Sequence, residues 1–508
     1  MNASELFALL PLVAMATGIV VVMLISAFSR THATVSRMSA ITLLITLACL
    51  PLVSSVTPIG VTPLLIVDGF GLLFCGVIVG ASFSICLMAY PYWHVRDVER
   101  EEFYLLLLIA TLGAMVLVLS KHMVSLLLGL EMMGISLFAM AAYNSRLKRQ
   151  HLHADRQEES DRSLEAGLKY LVLSALASAL LLFGMALIYL ETGQLDFSRA
   201  PFSALGTTTL IFYAGTALLL TGIGFKLSLF PFHMWTPDVY EGAPAPVTSF
   251  IATISKGAIF AVALRYFVGS ESLANPAVFT AVGIIAALSM LCGNWLALMQ
   301  KDLKRMLAYS SIAHLGYLMI AFLALQTQSM RFAVEASSLY VITYIVTSLV
   351  AFGIVILLSS KQTGTSREIS DLQLYQGLFW RHPVLATALS IAMLSLAGIP
   401  LTLGFVGKFY LLSAGAEAGL WWLLAALIAG SAIGLYYYLR VITALFTTGA
   451  SKEAQWEPGP LYASSSAILL VLTINLIVFG TFPQPLLESV QLLTTTLAES
   501  TSFTASAQ

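Results

Sequence analysis

The sequence predicts an all-α membrane protein of about fourteen transmembrane helices. Composition is the first reason: 58% of the residues are hydrophobic, only 10% are charged, and the mean hydropathy is +0.89, well outside the range of water-soluble domains. Length is the second, because about fourteen apolar runs can each cross the ~30 Å of a bilayer's hydrocarbon. The third is pattern. The runs lack the ~10-residue alternation of a membrane barrel, and lipid offers no partner to a backbone amide, so the runs should be helices.

The runs lie near 5–28, 37–57, 67–91, 102–119, 122–143, 165–190, 207–230, 243–268, 275–298, 303–324, 333–360, 383–414, 418–447 and 463–485. No basic segment precedes the first, so it reads as a span and not as a cleaved signal. Loops between odd- and even-numbered runs differ sharply in Lys and Arg. Odd loops hold about seventeen, among them Arg30, Arg37, Arg96, Arg100, Lys301, Lys304, Arg305, Arg367 and Arg381, whereas even loops hold Lys121, Arg199, Arg265 and Arg331. The excess places odd loops in the cytoplasm and both termini on the far, periplasmic side, as expected in a bacterial inner membrane. The longest polar segment, 146–163, contains His151, His153 and Asp155 and reads as a solvated loop in preference to a metal site.

Charge excludes one function class. With 25 Lys+Arg against 26 Asp+Glu the net charge is −1, and no basic surplus is available for nucleic acid. Cys49, Cys75, Cys86 and Cys292 each sit in an apolar run without metal-site spacing, which makes them small buried side chains.

An internal repeat of roughly 170 to 182 residues is legible. LSKHMVSLLLGL from Leu119 parallels MQKDLKRMLAYS from Met299, and KYLVLSALASALLLFG from Lys169 parallels LYVITYIVTSLVAFG from Leu339. The organisation is then three helices in 1–101, a five-helix unit in 102–270, a second in 271–450, and a last helix with its tail in 451–508. Five is odd, so the second unit is inverted, an arrangement in which sites lie at the midplane on interrupted helices. Helix seven is interrupted at Pro231 and Pro237, and helix twelve at Gly398, Pro400, Gly404 and Gly407.

Four basic residues fall inside runs: Lys169, Lys226, Lys256 and Lys408. A lysine at a helix centre costs about 2.5 to 3.5 kcal/mol, which a purely structural helix has no reason to bear. Lys256 lies nine residues from Arg265, and Lys408 lies nine from Glu417, about 13 Å along a helix and beyond the reach of snorkelling. Lys226 keeps an apolar environment past Pro231, while Lys169 can also be read as a terminal ion pair with Glu165. Glu131 is the one deeply placed carboxylate, and Lys226 is its expected counter-ion. His233 and His314 are membrane-level imidazoles suited to proton relay.

The segment GFKLSLFPFHMWTPDVYEGAPAPVTSFIATISK, 224–256, resembles the signature of the antiporter-like membrane subunits of respiratory complex I, and its WTPDVYEGAPAPVT portion is most similar to the subunit N branch. YSSIAHLGYL, MLSLAGIPLTLGFVGKFYLL and GSAIGLYYYLR extend the resemblance over nearly the whole chain. It implies proton translocation by Glu131 paired with Lys226, by Lys256 as the connecting lysine, and by Lys408 in the second half-channel. It also implies that NADH, FMN, iron–sulfur clusters and the quinone site belong to other subunits, and that the partners are neighbouring membrane subunits and the lipid bilayer. The rival expectation is a subunit of a multi-subunit cation/proton antiporter, which shares the fold and the lysines.

Overall fold

The computed structural model describes residues 2–96, 100–146, 154–197, 210–270, 273, 275–326, 330–360, 368–447 and 462–505. The N-terminal part holds α1 (Ala3–Ala8), α2 (Leu10–Phe28), α3 (His32–Val53) and α4 (Gly69–His94). Between α3 and α4 a small antiparallel hairpin pairs β1 (Ile59–Val61) with β2 (Leu65–Val67). Its β-branched residues suit a pleated ribbon, and it lies outside the spans, so the membrane part remains all helical.

The first five-crossing unit contains α5 (Glu101–Val118), α6 (Met123–Ala141), α7 (Ala154–Thr192), the broken pair α8 (Leu210–Leu227) and α9 (Trp235–Gly242), then α10 (Ala245–Phe250) and α11 (Lys256–Ser270). A π turn, Ile251–Ser255, joins the last two. The second unit contains α12 (Pro276–Leu298), α13 (Leu303–Leu323), α14 (Met330–Ser359), the short α15 (Leu378–Arg381), the broken pair α16 (Pro383–Ala397) and α17 (Leu403–Glu417), and α18 (Trp421–Phe446). Helices α19 (Ala463–Thr481) and α20 (Gln484–Ala505) come last. Among the described residues thirteen helical stretches are long and apolar enough to cross a membrane. The α16–α17 pair, too short in either half, makes the fourteenth crossing.

The two units share contact geometry as well as order. A Cβ on Gly113 of α5 would come 2.7 Å from the Met133 nitrogen and 3.0 Å from the Gly129 carbonyl on α6; on Gly293 of α12 it would come 2.8 Å from the Ala313 nitrogen and 3.0 Å from the Tyr309 carbonyl on α13. Every one of these positions is shifted by the same 180 residues. Backbone straps repeat too. Met123 and Phe197 donate to the carbonyls of Leu195 and Lys121, just as Leu303 and Leu372 donate to those of Ser370 and Lys301.

Burial identifies the axis. The stretch Ala245–Ser270 is buried over its whole membrane window and Leu303–Gln326 and Met330–Ser359 over 94% of theirs, against 17% for Leu10–Phe28. Helices α10–α11, α13 and α14 therefore form the centre, and they carry the buried Lys256, Arg265, Lys304, His314 and Glu335.

Several expectations are corrected. Helix α7 begins at Ala154, so much of the anticipated polar loop is helix; its Glu, Gln and Arg residues are good helix formers, and Glu158 pairs with Arg162 one turn on at 2.6 Å. His151 and His153, and the side chain of Asp155, lie outside the described residues, as do Arg199 and Arg367. Arg265 and Lys304, assigned to loops by sequence, lie in α11 and α13 and are buried at 5% and 0% exposure, while Arg96, in the loop after α4 as expected, is buried at 2%. Each has a carboxylate distant in sequence at hand, which is what allows it to be buried. Cys49 and Cys292 are only partly covered by the chain, unlike Cys75 and Cys86.

Candidate functional site: a buried row of lysines

The first break begins at the end of α8, where Ser228 adopts a left-handed conformation with φ 62°. Ending a helix inside the membrane frees carbonyls that need donors. Trp235 supplies one, its indole N–H donating to the Phe225 carbonyl at 3.0 Å. Lys226 stands in the last turn of α8, where the helix dipole favours a cation. Its ammonium donates to Ser174 Oγ on α7 at 2.5 Å and lies 6.0 Å from the Phe138 ring centroid on α6.

Lys256 sits at the centre, immediately after the π turn. A π turn inserts an extra residue per turn and re-aims the side chains beyond it, and such turns concentrate at functional sites. The Lys256 ammonium donates to Ser311 Oγ on α13 at 2.6 Å, and Tyr344 on α14 donates to the same oxygen at 2.6 Å. One turn along α13, the ring nitrogens of His314 meet two phenols: Nδ1 lies 2.8 Å from the Tyr340 hydroxyl and Nε2 3.2 Å from that of Tyr438. The Tyr438 hydroxyl also bonds Ser310 Oγ.

The second break supplies the partner for Lys408. Gly398 ends α16 with φ 82°, a conformation glycine adopts freely, and the Ala397 carbonyl is left at the helix terminus. Lys408 donates to that carbonyl at 2.8 Å and to Ser431 Oγ on α18 at 2.9 Å. The tight turn also needs Gly404, where a Cβ would fall 1.8 Å from the Ser395 carbonyl oxygen. A cavity of about 10 Å³, lined by His314, Tyr340, Tyr344, Thr347 and Lys408 among others, is near the size one water needs. Hydroxyls, imidazole and this cavity thus form a polar track from Lys256 to Lys408, and its hydroxyls and imidazole can each accept and donate a proton in turn.

Comparison with known proteins decides the family. Residues 120–434, more than half of the chain, match the family described as NADH:quinone oxidoreductase/Mrp antiporter, TM. The chain belongs to that family. A chain of respiratory complex I from Thermus thermophilus, solved with bound aureothin, is 32% identical over 94% of this chain and 99% of its own, with a TM-score of 0.78. The fold is shared at TM-score 0.82 with a chain of an archaeal membrane-bound sulfane sulfur reductase, at 24% identity over 98% and 99% of the two chains. It is shared equally, at 0.82, with a chain of the Mrp complex from Dietzia sp. DQ12-45-1b, at 18% identity over 99% of each. This member of the family is accordingly a multi-pass membrane protein.

Within the family member's structure, the other sequence-selected residues divide. Glu131 lies on α6 one turn before Gly134, whose added Cβ would be 4.0 Å from Lys226 Nζ. Lys226 nevertheless donates to Ser174, and Glu131 Oε1 is buried without a hydrogen-bond partner. Two other carboxylates, Asp68 at the N-cap of α4 and Glu335 in the early turns of α14, are buried. Lys169 is 40% exposed and bridges Glu165 at 2.7 Å and Asp238 at 2.8 Å, so it stands apart from the row. His233 is buried in the first break with Nδ1 unpartnered, stacked on Phe230 at 5.3 Å, and makes none of the track's bonds.

Sequence reasoning missed two buried ionic groups. Arg265 of α11 forms a bidentate pair with Asp68, the N-cap of α4, both bonds at 2.8 Å. Glu368 accepts from Lys304, from Tyr92 at 2.5 Å and from the Ala245 amide at 2.5 Å, while Lys304 also donates to the Glu241 and Ala243 carbonyls at 3.0 and 2.6 Å. Arg96 stands nearby, 3.6 Å from Glu159. Burial works against ionised Glu368, but Lys304 and Arg96 outweigh it and hold the carboxyl below its ordinary range. The cluster pins the turn between α9 and α10 to α4. Nothing in the local sequence around Glu368 signals it, because every one of its partners comes from a different part of the chain.

Proposed function

We propose that this chain is a proton-translocating membrane subunit of a bacterial NADH–quinone oxidoreductase, of the subunit N type. The observation that carries the reading is the row itself: Lys226, Lys256 and Lys408, at 5%, 2% and 7% exposure, are each held by hydroxyl or carbonyl oxygens. Among the described residues none of the three ammoniums has a carboxylate within ion-pair distance. A buried lysine without a fixed counter-ion exchanges its proton when a neighbouring charge moves. In this reading Glu131 biases Lys226, Lys256 connects the units through Ser311 and His314, and Lys408 serves the second unit. Lys169 and His233 stand as peripheral relays.

Support for the complex I assignment comes from the higher identity to the Thermus chain than to the Dietzia Mrp chain, together with the WTPDVYEGAP wording. NADH, FMN, iron–sulfur clusters and quinone are assigned to other subunits, so the chain contributes no redox centre. Its partners are neighbouring antiporter-like and other membrane subunits, and its termini face the periplasm.

Replacing Lys408 by Ala is the direct test. The complex is expected to assemble while proton pumping and quinone reductase activity fall together; unchanged rate and proton-to-electron stoichiometry in reconstituted vesicles would overturn the reading. The cation/proton antiporter reading is favoured by the Mrp fold match. A deletion strain that keeps NADH-driven quinone reduction but loses sodium tolerance would decide for it.

A further inference from the structure

The second unit holds a buried carboxylate that the row does not use. Glu335, in the early turns of α14, is 7% exposed, and its Oε1 accepts from Gln491 Nε2 at 2.8 Å. Gln491 belongs to α20, which packs on α4 and α14. Helix α17 packs on α14 as well. Its Tyr410, two residues beyond Lys408, places its ring 5.7 Å from that of Phe332, one turn before Glu335, and the Tyr410 phenol interacts with the Glu335 charge. Arg331, one turn earlier on α14, is the cation acting on Glu335. The Lys408 helix thus reaches the turn of α14 that precedes Glu335, and an amide of α20 bonds the Glu335 carboxyl.

The internal repeat supplies its counterpart. Lys169 aligns with Leu339, so Glu165, four residues earlier, aligns with Glu335. Glu165 lines an open cavity of about 230 Å³ with Lys169, Asp238, Glu241 and Arg305. Five crossings separate the two glutamates' helices, which puts Glu335 toward the opposite membrane face, where α20 lies over it.

We propose that Glu335 is a proton-accepting residue between Lys408 and the far aqueous phase, with Gln491 as its cover. The inference rests on the proton-translocating reading above. As a carboxylate, Glu335 holds the Gln491 amide by a charge-assisted bond, about twice as strong as a neutral one. When a proton arrives from the Lys408 side the charge disappears, the bond weakens, and α20 releases its hold. The carboxyl then gives its proton to the far-side water and recaptures Gln491.

Whole complex in vesicles with controlled pH on each side tests this, with Glu335→Gln, Glu335→Asp, Gln491→Leu and Lys408→Ala compared. Glu335→Gln should assemble, pump at least about tenfold slower and lose the dependence of rate on far-side pH. Glu335→Asp should retain that dependence, and Gln491→Leu should raise passive proton leak from the far side. Two results overturn the inference: Glu335→Gln pumping like the parent while Lys408→Ala is inactive, or Glu335→Gln and Glu335→Asp both assembling poorly with the surviving complex keeping the parent pH profile. Normal pumping by Lys408→Ala would instead remove the reading on which it rests.

Discussion

Ser311 stands in the second five-helix unit where Glu131 stands in the first. The 180-residue shift that superposes Gly113, Gly129 and Met133 on Gly293, Tyr309 and Ala313 carries Glu131 onto Ser311, and Lys256 donates to Ser311 at 2.6 Å. Lys256, on the last helix of the first unit, thus meets a neutral hydroxyl at the position where the first unit has a carboxylate.

Ser311→Asp should therefore trap Lys256 as an ion pair. Pumping is expected to fall strongly in an assembled complex, because a fixed counter-ion favours the charged lysine. Ser311→Ala should cost about 1 to 3 kcal/mol by stranding buried donors and slow pumping less. Equal pumping by Ser311→Asp and parent in vesicles would count against a proton-exchanging Lys256.

Glu131 and Lys226 should couple through space. Glu131→Gln is expected to impair pumping, and Glu131→Gln with Lys226→Met should assemble better than either single variant, since removing one charge of a buried pair is worse than removing both. A double-mutant cycle on complex stability reads this directly. Strict additivity would end the pairing.

The Glu368–Lys304 cluster has a pH signature. Glu368 is held below its ordinary range, so its pairing stabilises the fold above the unfolded carboxyl's value, about 4.3, and is lost as pH falls through the lower folded value. Lys304→Met should cost about 3 to 5 kcal/mol near neutral pH by leaving a buried carboxylate uncompensated. It should also shrink or reverse the acid loss of thermal stability, because the pKa of Glu368 without its counter-ion rises and the carboxyl takes up a proton as pH falls. Melting curves of the two proteins in detergent from about pH 7 down to about pH 3, below the unfolded carboxyl value, check both effects; identical curves would make the cluster inert.

Orientation is testable with single cysteines introduced by Glu158→Cys and Glu488→Cys, both positions being exposed. The Lys/Arg asymmetry of the loops places position 158 on the cytoplasmic side and position 488 on the far side. An impermeant maleimide applied from one side should label one and spare the other. Labelling of both from the same side would mean an odd error in the number of crossings.

Much of this protein is determined by sequence alone. Hydrocarbon requires long apolar helices, so the spans stand out in one dimension, and Pro231, Gly398 and Pro400 mark the two breaks because helix-breaking residues at those depths are conspicuous. Lys226, Lys256 and Lys408 stand out for the same reason: a charge against an apolar background needs no structure to be noticed. Tertiary structure alone decided their partners. Ser174, Ser311 and Ser431 are inconspicuous in apolar helices, and lie 52, 55 and 23 residues from the lysines they hold. Asp68 and Arg265 are 197 residues apart, so each looked like an ordinary flanking charge, and the π turn before Lys256 leaves no mark in composition. A solvent as restrictive as lipid writes its demands on each residue separately, whereas a hydrogen bond between helices is a property of two residues and of the packing that brings them together.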